Sequence, residues 1–172
     1  MTQSRSKALA EKKKAKVIAD LVKARKKILA TASLLSSDQW AVVFLGVWSP
    51  QDLVAHLVGW DHTNLKATKE LLAGKLPSFY AYHDRGWQTY NARLVKKYGK
   101  SGFVELISLA AQTHQKLVDF LVKIPAEEFD QDQRVRFKGY KVTIGRLLQA
   151  ETRDEQTHYT QIKQLARRRQ TS

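Results

Sequence analysis

The chain has 172 residues, enough for one domain with a self-sufficient core, and carries a formal net charge of +14. It has no cysteine, which excludes disulfides, thiolate metal sites and cysteine nucleophiles and fits a reducing cytoplasm. Neither a signal-peptide pattern nor an apolar run of about 18 residues occurs, so standard secretion and membrane spanning are not expected.

The charge is concentrated at the start. Residues 1–30 hold ten Lys and Arg (Arg5, Lys7, Lys12, Lys13, Lys14, Lys16, Lys23, Arg25, Lys26 and Lys27) against Glu11 and Asp20. Such a run reads either as an electrostatic footprint for nucleic acid or another polyanion, or as a solvated helix face. No aromatic residue is interleaved with it, which argues against stacking on single strands. Residues 1–16 are expected to form a loose, basic extension of the first helix, and residues 17–172 a single domain. From Val17, Ile18, Leu21 and Val22 through Ile28, Leu29, Ala32 and Leu35 the apolar residues fall at helical spacing.

A turn at Ser36-Ser37-Asp38-Gln39-Trp40 ends that helix, and Trp48-Ser49-Pro50-Gln51-Asp52-Leu53 opens the next. Ser49 is a natural N-cap and Pro50 sits where a missing N–H costs nothing. Asp52 falls at the third helical position, and Trp48 and Leu53 are spaced for a hydrophobic staple. The helix should run from Pro50 to about Ala73, closed by Gly74 and a loop holding Pro77. This start places His56 on the face shared by Asp52 and Trp60.

Ser78 to Arg85 form an aromatic-rich connection, followed by a short helix with Trp87, Tyr90, Asn91, Leu94 and Tyr98 on one face and Gly99 at its end. A third long helix is expected over Ser101 to Ile124, with a stripe of Phe103, Ile107, Ala110, His114, Leu117 and Leu121, stopped by Pro125. Residues 134–142 alternate basic and apolar around Lys138-Gly139, the pattern of a small hairpin or flap. Thr143 then caps a last helix reaching about Arg167, with Arg167, Arg168 and Arg169 at the negative end of its dipole. Four long helices with a short extra helix in the second connection predict an all-α four-helix bundle.

The last helix is apolar at Leu147, Leu148, Ile162 and Leu165 but has no large apolar residue from Glu151 to His158. Glu151, Asp154 and His158 are spaced by three and four and share one side. Asp154 and His158, with His56 from the second helix, would make a facial set of two imidazoles and one carboxylate with open positions. Such a set suits Zn, Ni, Fe or Mn, with Asp52 or Asp61 as orienting partners. Without a metal, a His–Asp pair is a general base for water attacking an electrophile. The same residues also fit two hydrogen-bonded core histidines beside a surface carboxylate. His114 reads as a core histidine or a further pocket group, His62 as exposed, and His83 as part of a loop that roofs a pocket or simply packs. Trp60, Trp87 and Tyr159 are candidate pocket walls. No nucleophile elbow or Gly-rich phosphate loop occurs.

Trp48 to Asp61 resembles the helix-two signature of the DinB/YfiT-like superfamily, and Asp154-Glu-Gln-Thr-His158-Tyr-Thr-Gln161-Ile162 resembles its closing helix. Gly86-Trp87 with Asn91, and Pro125-Ala-Glu-Glu-Phe129, are similar to the ClbS/DfsB-type branch, and the likeness covers roughly residues 17–168. The resemblance implies an up-down-down-up bundle, often a homodimer, and in many members a divalent metal held by three histidines. It implies His56, Asp154 and His158 as ligands, with Asp154 where metal-binding relatives have histidine; the ClbS-type branch is not expected to depend on metal. Relatives implied include transferases using a low-molecular-weight thiol such as bacillithiol, mycothiol or glutathione, metal-dependent hydrolases, and proteins protecting against reactive metabolites. The expectation is therefore a cytoplasmic protein acting on a small reactive molecule, as a metal-assisted hydrolase or thiol-dependent transferase in detoxification or stress protection, with His56, Asp154 and His158 as catalytic and metal residues. A different class is a non-enzymatic nucleic-acid-associated stress protein using the basic first helix, and a third is a dimeric scaffold with a structural polar centre.

Overall fold

The computed structural model describes the backbone of residues 2–168. Five helices make up most of it: α1 (Thr2–Ala32), α2 (Pro50–Leu72), α3 (Trp87–Tyr98), α4 (Phe103–Lys123) and α5 (Ile144–Arg168). α1 pairs with α5 and α2 with α4, and α3 lies against α2 as the extra helix of the second connection. Arg169 and the other residues after Arg168 lie outside the described residues. The basic extension is continuous with the helix, since α1 runs from Thr2, and the Lys14 ammonium donates to the carbonyls of Val122 and Ile124 at 2.7 and 2.6 Å.

The start of α2 forms as its residues dictate. The Asp52 N–H donates to Ser49 Oγ, and the Ser49 N–H donates to the Asp52 carboxylate at 2.9 Å, two reciprocal bonds that satisfy otherwise orphaned groups. Thr143 accepts from the Arg146 N–H at the start of α5. Between α4 and α5 the two-residue strands β1 (Arg136–Phe137) and β2 (Tyr140–Lys141) pair antiparallel. Their turn, Lys138-Gly139, has φ of 50° and 81°, the left-handed pair that a two-residue hairpin turn requires.

The core is split into two apolar clusters. One gathers Leu21, Ala67, Leu71, Leu117, Leu121 and Leu148, the other Ala32, Val54, Val58, Leu106, Ala110 and Ile162. Each fully buried Leu or Ile contributes about 2 kcal/mol by leaving water. α3 approaches α2 so closely that a Cβ added to Gly59 would sit 2.6 Å from Leu94 Cβ. Gly59→Ala is therefore expected to destabilise the fold by about 1–3 kcal/mol, measured by urea unfolding, because the overpacked contact cannot relax without shifting α3.

Candidate metal centre and cavity

α2 and α5 bring His56, Asp154 and His158 together as the sequence predicts. One ligand atom from each lies within 4.8 Å of the other two. Asp154 Oδ2 is 3.3 Å from His158 Nε2 and 3.9 Å from His56 Nε2. His158 Nδ1 lies 2.8 Å from Gln161 Oε1 and donates to it, which leaves Nε2 turned to the cluster. His56 is held by rings, with Trp48 at 4.7 Å, His158 at 5.2 Å and Trp60 at 6.1 Å between centroids. Its Nδ1 is buried without a hydrogen-bond partner. The two histidines are buried, whereas the Asp154 side chain is 55% exposed and closes the cluster from the solvent side.

The electrostatics favour a donor set. Burial pushes the His56 imidazole below its usual value, keeping it neutral with a free lone pair. His158 feels the same burial, but its bond to Asp154 outweighs it and raises the imidazole. Burial works against an ionised Asp154, yet both histidines together hold it well below the usual carboxylate range. Two imidazole nitrogens and an ionised carboxylate oxygen, with the His158 ring aligned by Gln161, fit a divalent first-row metal.

A cavity of about 410 Å³ opens beside the cluster, lined by His56, Asp154, Glu151, Trp60, Phe79, Tyr80, His83, Trp87 and Asn91. Trp60 lies 5.5 Å from both Phe79 and Trp87, and its indole N–H donates to Asn91 Oδ1 at 3.1 Å. Phe137 of the hairpin packs at 4.7 Å on both Tyr80 and His83, and the Lys138 ammonium pairs with Asp84. His83 therefore belongs to the cavity, as do Trp60 and Trp87. Tyr159 does not: its ring lies between the ammonium groups of Lys27 and Lys163, away from the cavity lining. His62 is exposed and stacks on Tyr98.

The expected orienting role of Asp52 and Asp61 is corrected. Asp52 is spent on the Ser49 cap. Asp61 belongs to a buried polar belt between the two apolar clusters, whose centre is Arg25. The Arg25 guanidinium donates to both Asp61 oxygens at 2.7 and 3.0 Å and to Glu155 Oε1 at 2.7 Å. Thr113 Oγ1 donates to Asp61 at 2.8 Å, and His114 Nδ1 lies 3.2 Å from it, which makes His114 a core histidine. Burial disfavours the Asp61 charge, but Arg25 and then His114 hold its carboxyl below the usual range. Arg25 is thus no part of a basic surface: it is 2% exposed. Sequence reasoning also missed Glu155, which is fully buried. The signal was present, since Arg25 falls between Leu21 and Ile28, and Glu155 between Leu148 and Ile162, on the buried stripes of α1 and α5.

Glu151 faces the cavity from α5 and is also buried. Burial first, and the neighbouring Glu155 charge second, push its carboxyl from 4.5 up to about 8. The folded chain then keeps a proton that the unfolded chain releases above about pH 4.5, so this group costs stability as pH rises from 4.5 towards 8. Glu151→Gln is expected to flatten that decline, read as unfolding free energy in urea at about pH 5 and about pH 8.

The family model of the DinB superfamily matches residues 20–162. No curated protein matches the chain. A solved structure described as Sibling Lethal Factor Precursor, DfsB, has a TM-score of 0.75 at 16% identity, covering 91% of this chain and 96% of that one. The colibactin self-resistance protein ClbS, solved in complex with a dsDNA, gives 0.72 at 16% identity over 88% and 94%. A protein from Streptococcus pneumoniae gives 0.73 at 12% identity over 90% of each chain. At these identities the likeness is one of fold, and together with the family match over most of its length it shows that this chain belongs to the DinB superfamily.

Proposed function

We propose that the protein binds a divalent metal at His56, Asp154 and His158 and acts on a small electrophilic molecule held in the adjoining cavity, as a hydrolase or a thiol-dependent transferase. The observation that carries this reading is the convergence of three donor groups at the edge of an aromatic-lined cavity of about 410 Å³. A divalent ion bound there supplies a lowered pKa to water or a thiol. The chain's own residues do the rest. Gln161 accepts from His158 Nδ1, so that a neutral His158 ring turns its unprotonated Nε2 to the cluster beside Asp154. Trp60, Phe79 and Trp87 offer flat apolar surface to the ligand and exclude water from one side of it. Asp154 balances positive charge at the solvent side of the cluster. A protective role fits this chemistry, and ClbS, which shares the fold, is described as a self-resistance protein.

The test is metal analysis of protein prepared without a His-tag, with His56→Ala beside it and chelation as a further arm. Bound divalent ion in the parent and none in the variant supports the reading; no ion in either overturns it, and the Asp154–His158 pair is then the candidate general base.

A second reading is duplex binding by the N-terminal half of α1, where Arg5, Lys12, Lys13 and Lys16 make an exposed basic face and exposed Lys7 adds charge on the opposite side. It is favoured by that face and by the duplex bound to ClbS. It predicts binding that weakens steeply with salt and is lost when those five residues are changed to Gln. Absence of duplex binding at low salt would remove it. No helix among the described residues is long and apolar enough to cross a membrane.

A further inference from the structure

The cavity has a second chemical character that metal binding leaves unused. Two cations line it on the side of the hairpin, Lys141 on β2 and Arg146 in the first turn of α5. Arg146 Nη1 donates to the Lys141 carbonyl at 3.1 Å, and Lys141 Nζ donates to the Asp130 carbonyl at 3.1 Å. These backbone contacts hold the two groups without neutralising them, and among the described residues neither has a carboxylate at ion-pair distance. The cavity's own acids are engaged elsewhere. Asp154 lies against both imidazoles, and Glu151 is buried in the wall. Arg146 still has Nη2 and Nε to offer, a fork that matches a carboxylate or phosphate.

We propose that the cavity selects a small amphiphilic anion, with its carboxylate or phosphate group on Arg146 and Lys141 and a flat apolar body against Trp60 and Trp87. The proposal rests on the reading of this cavity as the substrate site and names the charge and shape of what enters it. The net charge of +14 draws anions to the protein, and among the described residues these two Lys and Arg side chains put that attraction at the cavity lining. The aromatic rings supply affinity for the body of the ligand and no preference for its charge, so the anion preference belongs to Arg146 and Lys141.

The experiment is calorimetric titration of the full chain with 2-naphthoate, 2-naphthyl phosphate and neutral 2-naphthylmethanol. At least one anion is expected to bind about tenfold tighter than the alcohol, and that advantage should vanish in the double variant Lys141→Gln/Arg146→Gln. Which anion binds tighter identifies the preferred group. The preference should persist under chelation. Equal binding of anions and alcohol, no binding of any probe, or a preference that survives the double variant overturns the proposal. A preference lost under chelation and kept in the double variant puts the anion on a metal, which overturns this inference and leaves the proposed function standing. A preference that follows Lys141 and Arg146 in a protein free of divalent ion does the reverse. Both side chains face solvent enough that the variant keeps its helical signal by circular dichroism, which is checked first.

Discussion

Arg25→Met is expected to lower the free energy of unfolding by about 3–5 kcal/mol. The substitution keeps most of the apolar stem but strands Asp61 and Glu155, both of which are buried and accept from the guanidinium at 2.7 Å. A carboxylate left in that interior must either stay charged without a partner or take up a proton, and both routes cost stability. Asp61 retains Thr113 and His114, which limits the loss on its side. Among the described residues the other oxygen of Glu155 accepts no hydrogen bond, so nothing comparable limits the loss there. Adding Asp61→Asn and Glu155→Gln to Arg25→Met should therefore recover a good part of the deficit. Urea unfolding measures it, and a loss below about 1 kcal/mol for Arg25→Met would mean that the belt is hydrated rather than dry.

His56→Ala and His158→Ala are each expected to weaken divalent-metal affinity by at least about a hundredfold, more than loss of an outer partner costs. Among the described residues the proposed donor group has three side chains, so removal of one would leave two ligands. Gln161→Ala should cost less, about tenfold, because it releases the His158 ring without deleting a donor. Asp154→His replaces a hard oxygen donor by imidazole and should move preference from Mn towards Ni and Zn. Competition against a chromogenic chelator reads all four variants. Equal affinities across the series would show that the ion sits elsewhere and would sink the assignment.

The α2 start was legible because its cap closes within four residues, so Ser49, Pro50 and Asp52 announce it without reference to the rest of the chain. The cluster was legible for a related reason. Asp154 and His158 are one helical turn apart, and the missing apolar residues around them marked an interrupted face. The belt was not, because a charge near other charges reads as surface, and the bond that buries Arg25 joins residues 130 positions apart. Asp61 was misread for the same reason: its proximity to His56 along α2 was visible, while Arg25 and His114 came from other helices. The cavity wall needed two separate connections to meet. Phe79 and Tyr80, Trp87, and the hairpin around Phe137 share no local pattern that forecasts their contact.

The belt also sets the alignment of α5 along the bundle. Apolar stripes tolerate a slide, since one leucine can replace another in the same groove, but a slide of one turn, about 5.4 Å, would carry Glu155 away from Arg25 and leave both charges unpaired. His158 lies three residues beyond Glu155 on the same helix, and His56 five residues before Asp61 on α2. The ion pairs that index α1 against α2 and α5 therefore also bring the two histidines level with each other. Precision at the donor set is inherited from salt bridges that never touch it.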